Sequence, residues 1–396
     1  MTTITHLDDS FDVTIIGGGV NGLAVAHYLL EHKPGISVVL FEKEKYFGSE
    51  QSGHNSGAGH GGWVYEPGSL KAQLCVRGNS MLWDFCKKYN IAAVHGEKLV
   101  VSQTRDELEM YLERGRVNGV QGLEIISGEE IRRLEPNVVA PFAMRVPSSF
   151  VVDGAGYAAM LEKLVKKEDG MLFKSERVVG LDANEDGKSV VVRVDAKSNG
   201  MYDFKTKWVI NAAGLWADEV AKLINPDFKY HVQPVRGEYM KFRKSGRVDI
   251  GMTGFNVYPV PQTAFVDALG RAQKVAGTHL TPTFSVDSSD LSGKLTLGDT
   301  ILVGPYAFVQ EDRSYYGAVS SGAANFLKDL WYFPSLRAED IEPDQVGVQV
   351  KLKETSDFVI ERDVRCGQVI HIIAGSPSLT SSLANAEYVV ERLMKD

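Results

Sequence analysis

Residues 12–32 read DVTIIGGGVNGLAVAHYLLEH. The run DVTIIG is short, apolar and rich in β-branched residues, and it ends in glycine, as a strand buried on both faces of a parallel sheet does. From Asn21 to His32, the residues Leu23, Val25, Ala26, Leu29 and Leu30 recur at helical spacing, and Lys33, Pro34 and Gly35 stop the helix. SVVLFEK, from Ser37, gives a second strand, so roughly thirty residues make one βαβ unit. The turn between the first strand and the helix is Gly17-Gly18-Gly19-Val20-Asn21-Gly22, a G-x-G-x-x-G pattern. Gly17 allows the tight turn, Gly19 lets backbone approach a pyrophosphate, and Gly22 lets the helix pack closely on the strand. Glu42 closes the second strand, where a carboxylate meets a ribose hydroxyl. This context points to a bound dinucleotide rather than to a purely structural turn.

The motif alone fits an NAD-dependent dehydrogenase as well as an FAD enzyme. Two features favour FAD. A glycine-rich stretch from Gly48 to Gly68 stands in place of a third βα repeat, and the chain closes with a strand, QVIHIIAG, and a helix from about Thr380 to Met394. Ser378, Thr380, Ser381 and Ser382 surround the start of that helix. They serve as ordinary caps or help aim its positive end at the flavin pyrimidine ring.

Moving outward, residues 69–90 carry a helical stripe of Leu70, Leu74, Met81, Leu82 and Phe85. KLVVSQ reads as a strand, and RDELEMYLERGRVNG and SGEEIRRLEP as helices, the latter opening with a Ser127/Glu130 capping box. Residues 156–168 are helical, and VVGLDANEDGKSVVVRVDA is a hairpin turning at Asp186-Gly187. KWVINAAG then leads into the helix LWADEVAKLI. From about 228 to 340 the chain turns to strands, loops and aromatics without βα alternation, with a longer polar loop at 282–300.

The 396 residues hold 43 Lys and Arg against 51 Asp and Glu, a net charge of −8 without a polybasic run, which disfavours a nucleic-acid partner. Cys75, Cys86 and Cys366 lack metal-like spacing, no metal site is expected, and the thiols read as small buried hydrophobes in a reducing compartment. MTTITHLDDSFD has neither a transit-peptide nor a signal-peptide pattern, so the expected address is cytoplasmic, with peripheral contact to the inner membrane face open. FLKDLWYF (326–333) reads first as core packing, with contact to a membrane or quinone as the alternative.

SGHNSGAGHGGWVYEPGSLKAQLCVRG (52–78) closely resembles the flavin-adjacent segment of the L-2-hydroxyglutarate dehydrogenase and oxidase family, within the D-amino-acid-oxidase-like FAD oxidoreductases. INAAGLWAD (210–218), PVRGEY (234–239), GTHLT (277–281), VGPYA (303–307) and SPSLTSS (376–382) follow in that family's order. The resemblance implies an α/β, mixed α+β architecture. A Rossmann-like FAD-binding domain of glutathione-reductase type (1–85, 151–227 and 341–396) would carry an inserted antiparallel-sheet substrate domain (86–150 and 228–340).

It further implies non-covalent FAD, although some members of the superfamily attach flavin to a histidine in the region of His54. The implied cofactor residues are Gly17, Gly19, Val20, Asn21, Gly22, Glu42, Lys43, Ser52, His54, Asn55, Ser56, Gly57, Ala213, Gly214, Ser378, Leu379, Thr380 and Ser381. The implied reaction is hydride transfer from the CH–OH of a small 2-hydroxy acid, with electrons passed on to a quinone, oxygen or a carrier protein. His60 or His279 would accept the hydroxyl proton. Arg236 would hold a carboxylate, or else form a structural ion pair. Relatives carry an arginine after Gly-Val near the C-terminus, where this chain has Gln349. Lys351, two residues on, is the substitute cation on the same strand face. Malate:quinone oxidoreductases share the NSGAGHGG and VGPYAFV features, and an amine or amino-acid oxidase or a flavin-binding protein without oxidase activity are further readings.

Overall fold

The computed structural model describes residues 10–185, 187–197, 200–266, 272–275, 277–286 and 295–395. They divide into two compact units, one of residues 1–53, 154–233 and 350–396, the other of 54–153 and 234–349.

The first unit is built on the expected βαβ. Strand Ser10–Ile16 pairs in parallel with Val38–Glu42 on one side and with the second half of the long strand Gly200–Asn211 on the other. Met171–Lys174 and Val369–Ile373 extend this parallel core. The first half of Gly200–Asn211 leaves it and pairs antiparallel with Val190–Ala196, which pairs in turn with Glu176–Ala183. That is the expected hairpin; Asp186 of its turn lies outside the described residues. Val13, Ile15, Val39, Leu40 and Val209 are wholly buried, as strands covered on both faces must be. Helix Val20–His32 turns Leu23, Val25, Ala26 and Leu29 inward. The closing helix, Ser378–Tyr388, runs into a π-helical turn at Val389–Leu393, and LWADEVAKLI resolves into a 3-10 turn, Gly214–Trp216, followed by helix Ala217–Lys222.

The second unit is organised by one broad sheet. Its strands run in the order Ile341–Leu352, Val232–Arg243, Leu295–Val309, His279–Val286, Asn256–Pro259, Lys98–Ser102, Phe142–Val146 and Glu124–Ser127. The expected antiparallel sheet is therefore mixed, because Asn256–Pro259 lies parallel to Lys98–Ser102. The polar loop expected at 282–300 is strand at both ends, where 279–286 and 295–309 pair; 287–294 lie outside the described residues. One sheet face packs Leu99, Val257, Leu280, Val303 and Met240 into a core with Phe326, Leu330, Tyr332 and Phe333. FLKDLWYF thus buries Phe326, Leu330, Tyr332 and Phe333 in that core, with Leu327 and Trp331 partly buried against it. Helix Gly128–Leu134 opens with the expected capping box.

Residues 54–85, expected in the cofactor domain, lie in the second unit. Ala58–Gly59 pairs with Phe150–Val152, and Trp63 is buried against Tyr111 and Val146. Gly59 and Gly61 are required by this packing, since a Cβ would stand 2.6 Å from the Phe150 ring or from Ser148 Oγ.

Candidate active site

In the first unit the strand-to-helix turn opens onto a cleft of about 290 Å³. Gly17 has φ of +107°, a region natural to glycine, and a Cβ there would stand 2.5 Å from the Ala212 carbonyl oxygen. At Gly22 a Cβ would lie 2.0 Å from the Gly17 carbonyl oxygen, so the helix sits directly on the turn. The helix N-terminus carries no acidic residue in its first turn and presents bare backbone to the cleft, apart from the Val20 N–H, which donates to Ser52 Oγ at 3.0 Å. Glu42 accepts the Gly18 N–H on one carboxylate oxygen and the Glu44 N–H on the other, each at 2.8 Å. Burial raises its pKa against those two bonds, and each oxygen keeps a lone pair for a hydroxyl donor.

Ala213, Gly214 and Ser378 line the same cleft, together with Gly19, Lys43 and Ser52. Two of the expected contacts have structural partners as well. Asn21 Oδ1 accepts from Asn385 Nδ2 at 2.8 Å, tying the first helix to the last, and Lys43 pairs with Glu44 and Glu50. Leu379, Thr380 and Ser381 are not among the lining residues, and Thr380 and Ser381 are wholly buried in their helix. His54, Asn55, Ser56 and Gly57 belong to the other unit. A diphosphate suits a helix N-terminus without acidic residues, beside a turn where Gly17 and Gly22 leave no room for a Cβ.

The second unit gathers a different chemistry on the sheet face opposite its core. Alternation along each strand and the pairing of Asn256 with Lys98 and of Val257 with Leu280 set Lys98, Tyr258 and His279 in a row across three strands. His279 pairs with Gly304, which adds no side chain to the row, and Tyr239 packs against that glycine. Ser56 stands within hydrogen-bonding reach of the Tyr239 and Tyr258 hydroxyls. The His279 and Tyr258 rings stack with centroids 3.7 Å apart, and Lys98 Nζ lies 3.7 Å from the Tyr258 centroid.

His279 Nδ1 lies 2.9 Å from the Gly277 carbonyl oxygen, so Nδ1 carries the proton and donates. Nε2 then keeps its lone pair, and it is buried with no hydrogen-bond partner among the described residues. Burial, opposed by the Gly277 bond and helped by a smaller contribution from the Lys98 charge, pushes His279 down to about 3. His60 is half-buried; desolvation and then the charges of Lys98 and His279 hold it well below the ordinary histidine value. Its backbone is fixed by Asn79 Nδ2, which donates to the His60 carbonyl at 3.0 Å. Burial lowers Lys98 to about 7.

Arg236 is committed elsewhere. Its Nε donates to Glu238 at 2.8 Å and its terminal nitrogens to the carbonyls of Tyr315, Gly317 and Ala318. The geometry is that of the structural ion pair, with four of five donors used. Lys351 falls in the first unit, half-buried, and burial pushes its ammonium below the ordinary value. Lys98 and Tyr258 were not anticipated as site residues. The available signal was a lysine opening an otherwise apolar strand, KLVVS, all five of whose residues are buried.

The family model described as FAD dependent oxidoreductase matches residues 12–392. The chain belongs to the FAD-dependent oxidoreductases. It is 30% identical to the mitochondrial L-2-hydroxyglutarate dehydrogenase of Nematostella vectensis, over 97% of this chain and 90% of that one. It is 29% identical to the L-2-hydroxyglutarate dehydrogenase of Indibacter alkaliphilus, over 97% and 99%. Among solved structures, the FAD-bound L-α-glycerophosphate oxidase of Mycoplasma pneumoniae shares the fold at a TM-score of 0.81 and 24% identity, covering 98% of this chain and 96% of that one. Glycine oxidase from Geobacillus kaustophilus does so at 0.76 and 18%, covering 98% and 96%. The family inferred from the motifs is the one found, and FAD is the cofactor. No helix among the described residues is long and apolar enough to cross a membrane.

Proposed function

We propose that this flavoenzyme oxidises the carbinol carbon of a small 2-hydroxy acid, L-2-hydroxyglutarate or a close analogue, to the 2-oxo acid. The observation that carries this reading is His279 Nε2, a buried proton acceptor without a partner among the described residues, in one row with the buried Lys98 across the Tyr258 ring. Relatives named L-2-hydroxyglutarate dehydrogenases, matched over nearly the whole chain, support the choice of acid.

Gly17, Gly19, Val20, Asn21, Glu42, Lys43, Ser52, Ala213, Gly214 and Ser378 hold FAD non-covalently in this reading, the diphosphate on the helix N-terminus and a ribose hydroxyl on Glu42. Gly22 acts beneath the turn, and Leu379, Thr380 and Ser381 act through the helix they start. His54, Asn55, Ser56 and Gly57 remain candidate cofactor contacts of the second unit. Bound FAD supplies the two-electron acceptor for the hydride that leaves the carbinol carbon. His279 does the complementary work: its Nδ1–H is fixed on Gly277, so Nε2 receives the hydroxyl proton as the C=O bond forms. His60, coupled to the same charges, is the second proton acceptor of the cluster.

The enzyme is placed in the cytoplasm, consistent with three free buried cysteines, and its electrons go on to a quinone, oxygen or a carrier protein. The test is a panel of L-2-hydroxyglutarate, L-malate, lactate and amino acids given to holoenzyme with an artificial acceptor, with the 2-oxo acid quantified. Consumption of 2-hydroxy acids is expected; turnover of amino acids alone would overturn the reading.

A further inference from the structure

Among the described residues Lys98 is a cation without an anion. It is 2% exposed, sits over the face of Tyr258, and among the described residues no carboxylate pairs with it. A contact with an aromatic face is worth roughly 2 kcal/mol when desolvated, whereas burying an ammonium without an anionic partner costs several. A missing anion is therefore the expected complement. Arg236, the cation the sequence offered for that role, is spent on Glu238 and three carbonyls.

Resting on the function proposed above, we infer that Lys98 is the ligand of a substrate carboxylate, held on the same sheet face as the proton-accepting Nε2 of His279. The ammonium acts as a point charge with up to three donors, without the fixed fork of a guanidinium. It stands in register with the Tyr258 and His279 row, so an acid bound to it extends its carbinol along the face on which Nε2 is bare. The pairing also couples binding to chemistry. The Lys98 charge is one cause of the low basicity of both His60 and His279. A carboxylate that neutralises it makes both better proton acceptors only when substrate is present.

The test uses holoenzyme and glutarate, which carries the carboxylates and no oxidisable hydroxyl, with affinity measured by titration calorimetry. Lys98→Met is expected to weaken glutarate binding about 10- to 100-fold, as loss of one charge-assisted contact does. It is also expected to retain FAD and to melt no lower than the parent, because a desolvated charge has been removed. If Lys98→Met does not fold, Lys98→Gln repeats the measurement. Glutarate affinity within twofold of the parent, no glutarate binding by the parent, or a Lys98→Met enzyme that binds glutarate normally but melts lower would each overturn the assignment, the last marking Lys98 as a structural cation. Lys98-dependent glutarate binding in an enzyme that oxidises no 2-hydroxy acid would keep the anion site and remove the function; oxidation with Lys98-independent binding would do the reverse.

Discussion

The imidazole of His279 lies against the ring of Tyr258, with centroids 3.7 Å apart and planes 18° from parallel. That stack and the Nδ1 bond to Gly277 leave the ring one orientation, with Nε2 as its only available acceptor. Orientation of this kind separates a base from a core histidine.

His279→Asn is accordingly expected to slow anaerobic flavin reduction by at least ~100-fold while FAD content stays at the parent level. His60→Asn tests the second acceptor. Unchanged reduction rates in both variants would remove the acid–base assignment.

A second expectation concerns pH. The groups facing Lys98 are His60, Cys75 of helix Leu70–Tyr89, Tyr258 and His279. Lys98 is charged below about 7 and loses its proton above it, so kcat/KM for the acid falls as pH rises through about 7. His279, down at about 3, is neutral throughout the range and adds no acidic limb of its own. Lys98→Arg stays charged and is expected to abolish the alkaline fall. A flat parent profile between about pH 5 and about 9 would contradict this.

The Arg236–Glu238 pair is expected to matter for stability instead. Glu238 is fully buried and also accepts from Ser320 and Ser321. Burial opposes its ionisation, yet the bonds from Ser321, Arg236 and Ser320 hold it at about 2. Its folded value lies below the ordinary 4.5, so the stabilisation is complete above about 4.5 and is lost as pH falls towards 2. Glu238→Ala leaves a buried guanidinium unpaired and should cost about 3–5 kcal/mol in urea denaturation at neutral pH. A cost below about 1 kcal/mol would contradict the pairing.

Much of the first unit was legible in the sequence because its signals are local. Gly17 to Gly22, the flanking strands and Glu42 lie within thirty-one residues, from 12 to 42, and each follows from its neighbours. The second unit was not, because Lys98, Tyr258 and His279 come from three strands whose register is set by tertiary pairing. The Arg236–Glu238 pair was half visible: residues two apart share a strand face, and PVRGEY places the opposite charges there. The placement of residues 54–85 was not legible because SGHNSGAGHGGW reads as glycine-rich loop, while Gly57, Gly59 and Gly61 answer to Val152, Phe150 and Ser148 far along the chain.

Glu42 carries the cofactor prediction. Glu42→Ala removes the proposed ribose acceptor and the anchor of the Gly18 N–H, and should weaken FAD about 10- to 100-fold. Flavin fluorescence released on dilution measures this, and retention equal to the parent would place the ribose elsewhere.

The central claim, oxidation of a 2-hydroxy acid at its carbinol carbon, is tested most directly by mixing holoenzyme anaerobically with L-2-hydroxyglutarate and following the visible flavin absorbance through one turnover. Complete bleaching is expected, with one 2-oxoglutarate per flavin and slower bleaching when the C2 hydrogen is deuterium. A flavin that stays oxidised with L-2-hydroxyglutarate but bleaches with L-glutamate would contradict the account.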